Sequence, residues 1–287
     1  MTDGRPVAGA DVVEGDGAGG DGSPAVAPVG VRSDGADGGT PALRVDGVLF
    51  DIDDTLVDTR AAFGVAMQAV ADRYLPHLDA DRRAGLVGFW RADEHERYAQ
   101  FTRGEVSHRT QRMGRANDLH RGFGGVELDD EAYEVWDELF DAAFAAAWGA
   151  HPEAAEVVDQ LVAAGLVVGA LSNADVAYQT RKLEVAGFGE RVPMLVGTDT
   201  LGFGKPDPRV FVEACRRLGT DPARTAYVGD ELDVDAHAAV SAGLVGVWVD
   251  RPGGRRRAVP EADIAAARAA GVHVVTSLTE LPAVLRR

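Results

Sequence analysis

The chain has 287 residues, an apolar fraction of 46% that is ordinary for a globular protein, and a formal net charge of −17. That length can bury a full core as one domain with an insertion, while the acidity argues against nucleic acid, whose binding rests on clustered Lys and Arg. No apolar stretch is long enough for a membrane span, no basic-then-apolar segment opens the chain, and one cysteine, Cys215, excludes an internal disulfide framework, so a cytoplasmic protein is expected.

Residues 1–42 are rich in Gly, Ala, Asp and Pro, with no aromatic residue and no apolar periodicity. Such a segment cannot offset its ordering entropy by burial, and a disordered tail is expected. Gly15, Gly17 and Gly20 match the spacing of a dinucleotide-binding loop, but that pattern needs a strand before it and a helix after it, and neither is predicted. From residue 45 the texture changes. Five apolar, β-branched runs follow, GVLFD (47–51), LVVGAL (166–171), PMLVG (193–197), TAYVG (225–229) and LVGVWV (244–249), with a weaker sixth, VHVVT (272–276). They are apolar throughout, as strands buried on both faces of a parallel sheet should be. Helical patterns separate them. HPEAAEVVDQLVAAG has Pro near its start and Gly past its end, and PRVFVEACRRLG places Cys215 on one face with Phe211 and Leu218 as a buried apolar residue. The alternation predicts an α/β fold, a doubly wound parallel sheet with its ligand at the carboxyl ends of the strands.

Between the first two strands lie about a hundred residues with helical signals. Phe63, Met67, Val70 and Tyr74 make one apolar stripe, and Tyr133, Trp136, Phe140 and Phe144 another. The expected organisation is a core of residues 43–60 and 150–287 and a helical insertion over 61–149, placed to cover the carboxyl end of the first strand. Within it, Ser107 is a candidate helix N-cap. Arg103, Arg109, Arg112 and Arg115 read as a solvated basic face, or the last three as a helix side turned to the crevice, where one guanidinium grips a second anion on a substrate.

Four polar stretches fall at predicted strand ends. DIDDT supplies Asp51, Asp53 and Thr55; LSN supplies Ser172 and Asn173; GKPDP supplies Lys205; GDELDVD supplies Asp230, Asp233 and Asp235. Asp51, Asp53 and Asp54 crowd one turn, so one carboxyl should hold its proton or something positive should sit among them. Asp51, Asp53 and Asp230 offer hard oxygen ligands without His or Cys, a set that suits Mg²⁺. Ser172 and Asn173 can hold phosphate oxygens, and Lys205 brings a compact positive charge. A carboxylate beside a metal and a phosphate clamp can act as nucleophile, with a second as general acid and base. Lysine occurs only twice; Lys182, outside these stretches, is expected on the surface.

These four stretches, in this order over residues 45–285, resemble the haloacid dehalogenase (HAD) superfamily, in the subgroup whose helical cap follows the first strand. The resemblance implies Asp51 as nucleophile and Asp53 as acid/base. It also implies phosphate binding by Thr55, Ser172 and Asn173, charge stabilisation by Lys205, Asp230 as a magnesium ligand, and Asp235 as the anchor of metal-bound water. Asp233 is expected to be solvated. Glu231 departs from the small serine found in many members. The implied activity is Mg²⁺-dependent hydrolysis of a small phosphorylated metabolite. A phosphomutase of the same fold and a non-catalytic binding module are the alternatives. A dehalogenase fits less well, having no use for an acid/base at Asp53 or for magnesium.

Overall fold

A computed structural model describes residues 43–102, 105–255 and 258–287. The expectations for residues 1–42, the tail and its glycine pattern, and for Arg103 lie outside the described residues. The described residues form eight strands: β1 (Leu43–Arg44), β2 (Gly47–Phe50), β3 (Val167–Leu171), β4 (Leu195–Val196), β5 (Thr225–Gly229), β6 (Val245–Val249), β7 (His273–Val275) and β8 (Leu285–Arg286). Six of them build one parallel sheet in the order β4-β3-β2-β5-β6-β7. The other two, β1 and β8, pair in parallel near the two ends of the described chain. The sequence runs outward from β2 through β3 to β4, then returns to β5 on the other side of β2. That reversal makes the β2–β5 boundary the switch point of a doubly wound sheet, where a crevice opens beyond the carboxyl ends.

Between β2 and β3 the described residues form, before the crossover, the helices α1 (Thr59–Tyr74), α2 (Ala80–Ala84), α3 (Leu86–Ala92), α4 (Arg97–Thr102), α5 (His108–Phe123) and α6 (Asp130–Ala146). The apolar stripes explain their packing. Phe63 of α1 meets Phe140 and Phe144 of α6 at centroid distances of 5.1 and 6.3 Å, edge-on. Tyr133, Trp136, Phe140 and Phe144 form a ladder along α6, all buried. Ser107 caps α5 by accepting from the Thr110 backbone N–H at 3.1 Å. The segment enters and leaves through one narrow junction, where Val57 pairs antiparallel with Ala150 and Asp58 N–H donates to the Gly149 carbonyl.

The arginines of α5 divide between one that meets the solvated-face expectation and two that meet neither. Arg109 is exposed and paired with Asp130 and Glu134, as a solvated face requires. Arg112 and Arg115 are buried. Arg112 lies 4.7 Å from the Phe140 ring centroid and donates to Asp137 and Asp141 at 2.6 and 2.7 Å. Arg115 stacks over Trp90 at 4.3 Å and donates to the Trp90 carbonyl. With two carboxylates already on it, Arg112 is a strut between α5 and α6. Arg112→Ala leaves Asp137 without its bond, so it should cost about 3 kcal/mol. Scanning calorimetry should then show a melting temperature lower by roughly 6–12 °C.

The remaining helices are α7 (Ala154–Ala163), α8 (Val176–Val185), α9 (Thr198–Leu201), α10 (Pro208–Leu218), α11 (Ala238–Ser241), α12 (Glu261–Ala269) and α13 (Leu281–Val284). Side chains alternate across each strand. Val48, Phe50, Val168 and Val228 therefore share a core with Val158 and Leu161 of α7 and with the aromatic ladder of α6. Leu49, Leu171 and Tyr227 face the opposite side, against Val210, Phe211 and Cys215 of α10. Cys215 is a buried free thiol, as its helical face implied. With both faces covered, the predicted runs are apolar without alternation.

Candidate active site

The crowded turn after β2 separates its three carboxylates. Asp51 extends β2 by one rung, its N–H donating to the Val228 carbonyl of β5 at 2.8 Å. Asp54 adopts a left-handed backbone with φ 56° and turns back onto α1, accepting from Thr59 Oγ1 and the Arg60 N–H at 2.8 Å each. Those donors sit at the start of a helix, where a carboxylate is favoured. Each acid thus has its own cationic or N–H partner. Lys205 serves Asp51, Lys182 serves Asp53, and Arg60 with the first turn of α1 serves Asp54.

Lys205 stands at the centre. Its ammonium donates to Asp51 Oδ1 at 2.7 Å, Asp235 Oδ1 at 2.7 Å and the Tyr227 hydroxyl at 2.8 Å, and Tyr227 in turn donates to the Leu171 carbonyl. Burial alone would lower the lysine's pKa, but Asp235 and Asp51 beside it hold the ammonium well above its ordinary value. Asn173, expected to bind phosphate, clasps the backbone of this lysine. Its Oδ1 accepts from the Lys205 N–H at 2.6 Å, and its Nδ2 donates to the Lys205 carbonyl at 2.8 Å. That clasp needs a glycine next door, because a Cβ on Gly204 would lie 2.3 Å from Asn173 Oδ1. Asp235 is reached the same way. A wide turn after β5 bonds both Asp235 and Ala236 N–H groups to the Glu231 carbonyl, and Asp235 Oδ2 accepts from the Glu231 N–H. A Cβ on Gly229 would stand 2.3 Å from that oxygen.

Among the described residues, one oxygen each from Asp51, Asp230 and Asp235 lie within 4.8 Å of one another. Asp51 and Asp235 are buried and Asp230 half-buried. Three carboxylates against one ammonium leave excess negative charge. Burial, then the nearby Asp235 and Asp53, push the Asp51 carboxyl up to about 7 despite Lys205. A hard divalent cation fits this all-oxygen set. The set differs in one member from the expected one. Asp53, predicted as a metal-binding carboxylate, is drawn away by other donors, and Asp235 brings its oxygen in instead.

Those donors were not foreseen. Lys182 Nζ donates to Asp53 Oδ1 at 2.5 Å, and Gln179 Nε2 donates to Asp53 Oδ2 at 2.6 Å and to Ser172 Oγ at 2.7 Å. Lys182 is 0% exposed, which corrects the expectation of a surface lysine. Gln179, Lys182 and Leu183 form the buried face of α8, so the i, i+3, i+4 spacing carried the signal. Thr55, also 0% exposed, has a hydroxyl oxygen without a hydrogen-bond partner. A buried unpaired hydroxyl is costly, and an anionic oxygen of a ligand would satisfy it. Ser172 Oγ accepts from Gln179 and keeps its own proton to donate.

Comparison with known proteins bears on the family and the fold. The haloacid dehalogenase-like hydrolase family matches residues 45–243, well over half of the chain. An N-acetylmuramic acid 6-phosphate phosphatase of Pseudomonas aeruginosa is 28% identical over 198 residues, 66% of this chain and 75% of that protein. A (S)-2-haloacid dehalogenase 4A of Burkholderia cepacia is 32% identical over 132 residues, 46% of this chain and 53% of that one. Among solved structures, the HAD-hydrolase YfnB of Bacillus subtilis, bound to magnesium, superposes with a TM-score of 0.63 at 21% identity, covering 84% of this chain and 99% of that one; it shares the fold. The sheet order, the helices after its first long strand and the match over residues 45–243 together place this chain in the haloacid dehalogenase-like hydrolases.

Proposed function

We propose that the chain is a magnesium-dependent phosphatase that hydrolyses a small phosphomonoester metabolite through an aspartyl phosphate on Asp51. The observation that carries this reading is the position of Asp51. It is bonded to Lys205, grouped with Asp230 and Asp235, and followed four residues later by a buried threonine hydroxyl with no partner. Asp51, Asp230 and Asp235 would hold the magnesium ion, which when bound supplies positive charge against a phosphoryl group. Lys205 adds a fixed ammonium on the same side, and the Thr55 and Ser172 hydroxyls donate to phosphoryl oxygens. The Asp51 carboxylate attacks phosphorus, and the bond to the leaving oxygen breaks as Asp53 donates its proton to that oxygen. Asp53 then takes a proton from the water that releases phosphate and regenerates Asp51. The helices over 61–149 act as a cap on the crevice. Named relatives that hydrolyse phosphate esters support the reading, and the cytoplasm is its proposed setting. No helix among the described residues is long and apolar enough to cross a membrane.

A halide leaves without a proton, so a dehalogenase would give Asp53 and its two buried donors nothing to do. The test is phosphate release from a panel of phosphoglycolate, sugar phosphates and nucleoside monophosphates, with and without Mg²⁺, beside halide release from 2-chloropropionate. Metal-dependent phosphate release from at least one ester is expected. Halide release with no phosphate release from any ester would overturn the assignment, as would a protein inert to every substrate.

A further inference from the structure

We infer that Lys182 and Gln179 are positioning residues that hold the Asp53 carboxylate in register for proton transfer, an inference that rests on the phosphatase reading above. Among the described residues, Asp53 Oδ1 is the sole hydrogen-bond acceptor for the Lys182 ammonium. Three aromatic rings also stand near that ammonium. The Tyr178, Trp148 and Phe144 rings lie with centroids 4.9, 5.4 and 5.9 Å away. Burying an ammonium completely is expensive, and a buried ion pair is a weak source of stability that an apolar side chain usually matches or exceeds. The chain bears that cost at the carboxylate read here as the acid/base. Lysine is also scarce here, with two against 27 arginines, and both lysines are buried on site aspartates.

Gln179 supplies the second fixed point. Its Nε2 spends both hydrogens, on Asp53 Oδ2 and on Ser172 Oγ, while its Oε1 is buried with no partner. An amide that leaves its own oxygen unsatisfied is oriented by what its nitrogen holds. With one donor on each oxygen, the plane of the Asp53 carboxyl is set relative to β2, and through Ser172 it is tied to the end of β3. Phe144 belongs to α6 and Tyr178 to α8, so the cage around Lys182 joins the inserted helices to the sheet domain. Lys182 touches no reacting atom; it acts through Asp53.

Leaving-group chemistry separates this role from a structural one. An alkoxide must be protonated as its bond to phosphorus breaks, whereas 2,4-dinitrophenolate departs as a stable anion and needs no acid. The value of kcat/KM reports only the steps through the first bond cleavage. Lys182→Met should therefore lower kcat/KM for glycerol 3-phosphate by about 10²-fold or more, while that for 2,4-dinitrophenyl phosphate stays within about threefold of wild type. Equal losses on both esters, or no loss on either, would overturn the inference. Should Lys182→Met fail to fold, Asp53→Asn decides the matter alone and combined with Lys182→Met, since the pair buries no lone charge. If Lys182 works through Asp53, the double variant is as active on glycerol 3-phosphate as Asp53→Asn, within about threefold, and a further loss beyond about tenfold refutes it. Wild-type protein that hydrolyses neither ester refutes the phosphatase reading itself, and the role of Lys182 with it.

Discussion

Asp51→Asn should leave the protein folded and lower turnover of any phosphate ester by on the order of 10³-fold or more, the scale seen when an enzyme loses its nucleophile. An amide oxygen is a poor nucleophile toward phosphorus, yet it can still accept from Lys205 Nζ, so the main contact of residue 51 survives. The substitution also removes one of three clustered acids. Burial and the neighbouring Asp235 and Asp53 already disfavour a charge there. The melting temperature in metal-free buffer should consequently be no lower than that of wild type. Phosphate release and calorimetry on the same preparation check both halves. Retention of more than about a tenth of wild-type activity would rule out a covalent intermediate on this residue.

The parts of this molecule that the sequence made legible share one property, which is locality. Buried parallel strands announce themselves as apolar runs, and every expected strand lies within about two residues of its predicted ends. The aromatic ladder on α6 was legible for the same reason, since its spacing is an intrinsic property of a helix. Asp51, Asp230 and Lys205 could be found because each directly follows a strand or precedes a helix, and a doubly wound sheet brings such ends together. Lys182 is a different case. It sits mid-helix on α8, where local spacing can mark a buried face but cannot say that the ammonium meets Asp53, 129 residues away in the chain. Only its rarity and its place on the face of Leu183 hinted at burial. Arg112 was misjudged in the same way. Its partners Asp137 and Asp141 lie on α6, and the pairing depends on how α5 and α6 pack, which periodicity does not encode. Asn173 shows a subtler limit. Its position at a strand end was right, but its amide is spent on the Lys205 backbone, a division of labour that residue type alone cannot express.

Metal removal should have an effect as large as loss of the nucleophile, and its pH dependence follows from the site. Stripping with EDTA should silence phosphate release and added Mg²⁺ should restore it, whereas Ca²⁺, which prefers more ligands and looser geometry, should restore little. In the metal-free protein the Asp51 carboxyl titrates near 7, held up chiefly by burial and by its acidic neighbours against the pull of Lys205. Below that pH a cation entering the site must displace a proton from Asp51; above it the carboxylate is already free. Lys205 does not interfere, since Asp235 and Asp51 keep its ammonium charged throughout. Apparent Mg²⁺ affinity should thus rise roughly tenfold per pH unit below about 7 and level off above it. Titration calorimetry in buffers of different ionisation enthalpy reads this without any catalysis. Close to one proton should be released per ion at about pH 6 and close to none at about pH 8. Proton release that does not change across this range would mean that Asp51 is not among the ligands, and full activity after exhaustive dialysis against EDTA would mean that the three carboxylates hold no essential metal at all.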